Sequence, residues 1–243
     1  MVNGWTAIAQ RAQAWILPPS CILCGDRGQP PLLDICAPCA ADLPPNLAPC
    51  PLCANPLEAG ADFTWPCGQC LHQPQPFDRA LAPFVYDYPL DQLIHSFKYG
   101  GVLAYGRVLG TLLAYHIRTR GEPLPEVLVP VPLHSTRQRE RGFNQAHELS
   151  RPLSQLLGIP IDDLLCRRKR ATEDQTELKA AQRRKNVRNA FSLLRQPTVT
   201  HAALVDDVLT TGSTAGELTQ LLKSNGVKRV EVWTVARATQ KSF

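Results

Sequence analysis

No stretch of this 243-residue chain approaches the roughly 18–20 apolar residues needed to cross a bilayer, so no membrane-spanning helix is expected. No signal-peptide pattern precedes the first cysteine, which points away from a secreted, disulfide-built domain and toward the cytoplasm. The six histidines, at positions 72, 95, 116, 134, 147 and 201, show no metal-ligand spacing. No Gly-Lys-Ser/Thr closes a glycine loop, and a Walker-type nucleotide site is thereby ruled out. Aromatic residues are nearly missing from the most basic stretch, Phe191 excepted, which argues against base stacking there.

What the chain does have begins with cysteine. Eight of the nine cysteines form four Cys-x-x-Cys pairs: Cys21/Cys24, Cys36/Cys39, Cys50/Cys53 and Cys67/Cys70. The gaps between them, eleven, ten and thirteen residues, are ordinary for zinc knuckles. A redox Cys-x-x-Cys would occur once, not four times. Four complete pairs leave no vacancy for His72. The spacing predicts two structural zinc ions, either held by sequential pairs (Cys21, Cys24, Cys36, Cys39, then Cys50, Cys53, Cys67, Cys70) or by a crossed arrangement of alternate pairs. With eight thiolates holding two zinc ions, the formal net charge of +5 falls to about +1, so overall charge is no argument for nucleic-acid binding.

Proline clusters in the first third, where it leaves little room for long elements. Three segments follow. Residues 1–17 read as an amphipathic helix that docks on the body of the protein, with a membrane-surface helix as the alternative. Residues 18–75 form the cysteine-rich module. From residue 76 to 243 the pattern alternates strands and helices. Ala80–Val85 reads as a strand, Pro89 opens a helix through Phe97, and Gly100-Gly101 breaks it before a second helix over Val102–Arg118. Val127–Val131 reads as a buried strand. A helix from Gly142 to Leu157, bent at Pro152, ends at Gly158. His201–Val205, Thr214–Ser224 and Arg229–Val235 complete a strand–helix–strand unit, and the whole implies an α/β fold with a mostly parallel sheet flanked by helices. Cys166, after Leu164-Leu165, reads as a small core residue.

Residues 202–214, Ala-Ala-Leu-Val-Asp-Asp-Val-Leu-Thr-Thr-Gly-Ser-Thr, carry the most chemistry. An apolar strand delivers Asp206 and Asp207 at its carboxyl end, where open α/β sheets bind ligands. The loop after it, with Gly212 permitting unusual backbone geometry, leads into a helix whose free amides favour an anion. Carboxylates beside a phosphate cradle suit a sugar phosphate. An Asp-Asp turn followed by a Ser/Thr helix cap would explain each residue singly but not their order. A second constellation, Val129-Pro-Val-Pro-Leu-His134 followed by Arg137, Arg139 and Arg141, predicts a strand and a tight loop with guanidinium groups able to grip pyrophosphate. A third, residues 167–188, holds nine Lys/Arg against three Glu/Asp. It reads as a basic loop closing over a polyanion, as a DNA-backbone contact or as a solvated face.

The segment ALVDDVLTTGST resembles the phosphoribosyl-pyrophosphate (PRPP) motif of type I phosphoribosyltransferases. Together with VPVPL…RQRERGFNQA, the stretch Leu93–Gly100 and the cysteine module, it is similar to the ComF-type competence proteins and their relative GntX. The resemblance implies a type I phosphoribosyltransferase fold behind a double zinc ribbon. It implies that Asp206 and Asp207 meet the ribose hydroxyls, that Thr210, Thr211, Gly212, Ser213 and Thr214 hold the 5-phosphate, and that magnesium bridges pyrophosphate and ribose oxygens. Arg137, Arg141 and the basic loop would hold the leaving pyrophosphate. Two functions follow from it: phosphoribosyl transfer to an unidentified acceptor, linked to DNA uptake in natural transformation, or a non-catalytic PRPP- or nucleotide-sensing module that contacts single-stranded DNA or a competence helicase.

Overall fold

Ala202 to Val205 are all buried, as a strand covered on both faces requires. In the computed structural model, which describes residues 19–29, 34–58, 64–169 and 189–239, that strand lies inside a parallel sheet. The elements in chain order are α1 (Ala37–Ala41), α2 (Gly68–His72), β1 (Arg79–Leu81), β2 (Phe84–Val85), α3 (Leu90–Tyr99), α4 (Leu103–Thr119), β3 (Val127–Pro130), α5 (Ser135–Arg141), α6 (Gln145–Leu157), β4 (Cys166–Arg168), β5 (Phe191–Leu193), β6 (His201–Leu209), α7 (Ser213–Ser224) and β7 (Arg229–Arg237). The sheet runs β1-β7-β6-β3, with β2 also pairing along β7, and every pair in it is parallel.

Period-two alternation splits β6 between two cores. Ala203 and Val205 pack with α3, α4 and α6, whereas Ala202 and Leu204 pack with α7 and the β4–β5 hairpin. The first core also takes in Cys21, Ile35, Cys36 and Leu43, so the cysteine-rich segment shares apolar packing with α3 and α4. Helices α4 and α6 approach closely at Gly110, where a Cβ would come within 2.4 Å of the Pro152 ring. Pro152 lies inside α6 and Gly158 ends that helix in the left-handed conformation.

Several sequence expectations shift. Strands β6 and β7 run to Leu209 and Arg237, beyond the apolar runs that signal them, so both aspartates lie within the strand and not in a turn. Pro89 flanks α3 as its N-cap instead of opening its first turn. The helix expected from Gly142 begins at Gln145, capped by the Asn144 side chain, and a separate short helix, α5, precedes it and ends at Gly142 at φ +78°. The arginines expected on a tight loop therefore sit on a short helix. The expected helix over residues 1–17 and most of the basic stretch, residues 170–188, lie outside the described residues. No helix among the described residues is long and apolar enough to cross a membrane.

Candidate phosphoribosyl site and zinc centres

Asp206 and Asp207 are neighbours in sequence but leave β6 on opposite faces. Asp207, 6% exposed, faces α3 and pairs with Lys98, Nζ to Oδ2 2.8 Å. Asp206 lies beside Thr210, Gly212, Ser213 and Thr214 at the entrance of α7. Burial, and then the charge of Asp207, push the Asp206 carboxyl up to about 7, opposed by Lys98 and Arg168. Burial works against the Lys98 ammonium, yet Asp207 and then Asp206 outweigh it and hold its pKa above the usual lysine range. Each aspartate also turns one oxygen back on the strand: Asp206 Oδ1 accepts from Asp207 N and Asp207 Oδ1 from Val208 N.

The loop leaving β6 is Thr210–Gly212. Gly212 stands at φ +75° as the N-cap of α7, and the Thr211 hydroxyl accepts from the Ser213 amide at 3.4 Å. A Cβ at Gly212 would meet Gln75 Oε1 at 2.9 Å. Thr211 Oγ1 and Ser213 Oγ lie 2.7 Å apart. A loop with small residues and hydroxyls at the amide end of a twelve-residue helix can take a phosphate.

The arginine constellation closes the other side. Lys98, Tyr99, Gly100, Gly101, Arg137, Glu140 and Arg141 line one cavity of about 290 Å³. The Arg141 guanidinium stacks over the Tyr99 ring, 5.1 Å from its centroid. The structure thus brings Arg137 and Arg141 to the mouth of the Lys98–Asp207 pair. Arg167 and Arg168 begin the basic stretch on β4, where Arg168 faces the Phe191 ring and its charge reaches Asp206. Cys166 is buried on the same strand, its thiol pushed up to about 12, as a core residue should be.

Sequence reasoning gave Lys98 no site role. It follows Phe97 and lies one turn beyond Ile94 on a helix whose buried face is Leu90, Leu93, Ile94 and Phe97. A cation at the border of an apolar stripe was the available signal.

The eight paired cysteines converge sequentially, not crossed. Cys21, Cys24, Cys36 and Cys39 form one cluster and Cys50, Cys53, Cys67 and Cys70 the other, each with all sulfurs within 4.8 Å of one another. The Sγ atoms of Cys24 and Cys36 lie 3.7 Å apart, as do those of Cys53 and Cys67. Sulfurs at about 2.3 Å from a tetrahedral zinc define edges of roughly 3.8 Å, so both sets fit the ion. The two knuckles repeat one design: Cys36 and Cys67 each precede a five-residue helix that carries the next cysteine. Both are four-cysteine sites for structural zinc.

The second knuckle is tied to the loop that leaves β6 through one buried side chain. Arg237, at the end of β7, donates from Nε to the Cys53 carbonyl (3.0 Å) and from Nη1 to the carbonyls of Leu209 (2.9 Å) and Thr210 (2.6 Å).

Comparison with known proteins finds two family matches in the chain. A double zinc ribbon domain matches residues 12–71 and a phosphoribosyl transferase domain matches residues 140–242. The DNA utilization protein YhgH of Salmonella typhi is 40% identical over 207 residues, covering 84% of this chain and 90% of that protein. Competence protein F of Haemophilus influenzae is 40% identical over 196 residues, with 78% and 84% covered. Competence protein ComFC of Streptococcus pneumoniae is 26% identical over 157 residues, with 64% and 67% covered.

Proposed function

The chain belongs to the family of ComF competence proteins and YhgH DNA utilization proteins, and from that membership we propose that its phosphoribosyltransferase domain binds PRPP with magnesium and transfers the phosphoribosyl group. The observation that carries this reading is the grouping at the end of β6: two carboxylates, a helix entrance begun by Gly212 and a cavity lined by Lys98, Arg137 and Arg141. Thr210–Thr214 takes the 5-phosphate, Asp206 and Asp207 take the ribose hydroxyls, and Arg137 and Arg141 take the pyrophosphate. Magnesium would be bound together with the pyrophosphate and would offset its negative charge, since this hard ion seldom has a dedicated protein cage in phosphate sites.

In the transfer the bond from ribose C1 to the pyrophosphate oxygen breaks as a bond from C1 to an acceptor nitrogen forms. Pyrophosphate leaves with the electron pair, and the acceptor's proton passes to solvent. No covalent nucleophile is needed; positioning and charge around the leaving group carry the rate. The eight thiolate ligands suit a reducing compartment, which favours the cytoplasm.

A second reading keeps PRPP as a signal and has the protein contact single-stranded DNA or a competence helicase. It is favoured by the printed names of the relatives and by the basic stretch that starts at Arg167. Calorimetric titration with PRPP and magnesium tests the shared premise. Wild type should bind and the Asp206→Asn/Asp207→Asn variant should not; absence of binding in both rejects it. Incubation with PRPP and a panel of nucleobases, watching for released pyrophosphate, then separates transferase from sensor.

A further inference from the structure

Ribose and pyrophosphate are joined by one ester oxygen, and it is at this join that the bond breaks. Among the cations of the described residues, Lys98 has contacts on each side of it. Its ammonium reaches Asp207 at 2.8 Å, and its side chain lines the cavity with Arg137, Arg141 and Tyr99. We propose that Lys98 is a catalytic residue of this site, its ammonium contacting the α-phosphate at the oxygen that leaves with pyrophosphate, and that Asp207 holds it there. The proposal rests on the reading of the site as a PRPP site.

Three features support it besides position. The cavity carries Lys98, Arg137 and Arg141 against the single carboxylate of Glu140, an excess of positive charge suited to a polyanion. Lys98 lies in the last turn of α3, where the negative end of the helix dipole favours a cation. Gly100 and Gly101 follow at once and form the cavity wall; Gly100 has no room for a side chain, since a Cβ there would meet Ser96 O at 2.6 Å. As the C1–O bond breaks, negative charge grows on the departing oxygen, and a fixed ammonium beside it stabilises that change more than it stabilises the bound ester.

The competing role is structural: Lys98 as nothing more than the counter-ion of Asp207. The two roles differ in which ligands they affect. A counter-ion acts through Asp207 and so through the ribose, whereas a leaving-group contact acts only on ligands that carry pyrophosphate.

The test uses the full-length, zinc-loaded protein with three probes, namely ribose 5-phosphate, magnesium pyrophosphate and PRPP with magnesium, titrated by calorimetry. Lys98→Met removes the charge, and Lys98→Gln removes it while keeping an amide donor for Asp207 should the first variant fold poorly. We expect either variant to lose on the order of 10- to 100-fold in affinity for pyrophosphate and PRPP, the range of a charge-assisted hydrogen bond, with ribose 5-phosphate changed by less than about twofold. Equal losses for ribose 5-phosphate and PRPP would overturn the proposal in favour of the counter-ion role. Unchanged pyrophosphate affinity would overturn it outright. Wild type that binds none of the three probes rejects the PRPP reading itself, and a site that binds PRPP normally in both variants rejects Lys98 alone.

Discussion

Arg237 and Cys53 stand 184 residues apart in sequence and are joined by a buried hydrogen bond from Nε to the cysteine carbonyl, 3.0 Å long. Cys53 is a ligand of the second zinc site, and the same guanidinium holds the carbonyls of Leu209 and Thr210. Backbone that a metal fixes at one end is thus tied to the loop that would fix a phosphate at the other.

Removing zinc should therefore weaken phosphate binding as well as the ribbon. Chelation of both ions is expected to lower the melting temperature and to reduce ribose 5-phosphate affinity, with recovery on adding zinc. Metal analysis of the untreated protein should give two zinc ions per chain, one for each cysteine cluster. Arg237→Met takes the side-chain donor from the Cys53 and Thr210 carbonyls, while the Leu209 carbonyl keeps the Ala238 amide, and should cost about 2 kcal/mol or more in denaturant unfolding, since each orphaned buried group costs roughly 1–3 kcal/mol.

Asp206 gives a pH dependence of definite sign. Its carboxyl ionises at about 7 in the folded protein and at about 4 in the unfolded chain. Between those values the folded state holds the extra proton, so this group's contribution to stability falls as pH rises through the window and is level above it. Thermal melts from pH 5 to pH 8 should show that decline in wild type and a smaller one in Asp206→Asn. A variant that tracks wild type would mean that Asp206 titrates as an ordinary carboxylate.

Gly212→Ala places a side chain at φ +75°. The left-handed conformation costs an alanine roughly 1–2 kcal/mol, so the protein should fold with reduced stability while the loop relaxes away from its present shape. Ribose 5-phosphate affinity should drop by more than the stability loss alone explains, as calorimetry beside a denaturant curve would reveal.

Glu231 supplies the contrasting case. It is fully buried near the start of β7, where it accepts from Arg79, His201, Arg229 and the indole of Trp233. Asp206 lies toward the other end of the neighbouring strand. Glu231→Gln should destabilise by about 3–5 kcal/mol, as for any buried pair that loses one partner, yet leave ligand affinity in the surviving folded fraction unchanged.

The parts of this molecule that were legible in the sequence are those whose signal is local. Cys-x-x-Cys spacing announces a knuckle, the apolar run Ala202–Val205 announces a buried strand, and Gly158 announces a helix stop. Pairing of the knuckles was not legible, because spacing permits sequential and crossed sets alike and only the packing of Ile35 and Leu43 into the α3–α4 core orients the first one. Lys98 was missed because its partner, Asp207, is 109 positions away and nothing in the short word Ser-Phe-Lys-Tyr-Gly points there. Arg237 was missed for a similar reason: in sequence it is one more cation in a terminal strand, and its meaning comes from three carbonyls on two distant segments.

The opposed directions of Asp206 and Asp207 limit how this chain can change over evolutionary time. Substitutions along Ala202–Val205 need only preserve size and greasiness. Loss or gain of a single residue there would exchange the two carboxylates, sending one into the α3 side and the other toward α7, and would invert both packing faces at the same moment. This strand can drift letter by letter, but its length is fixed by the acids at its end.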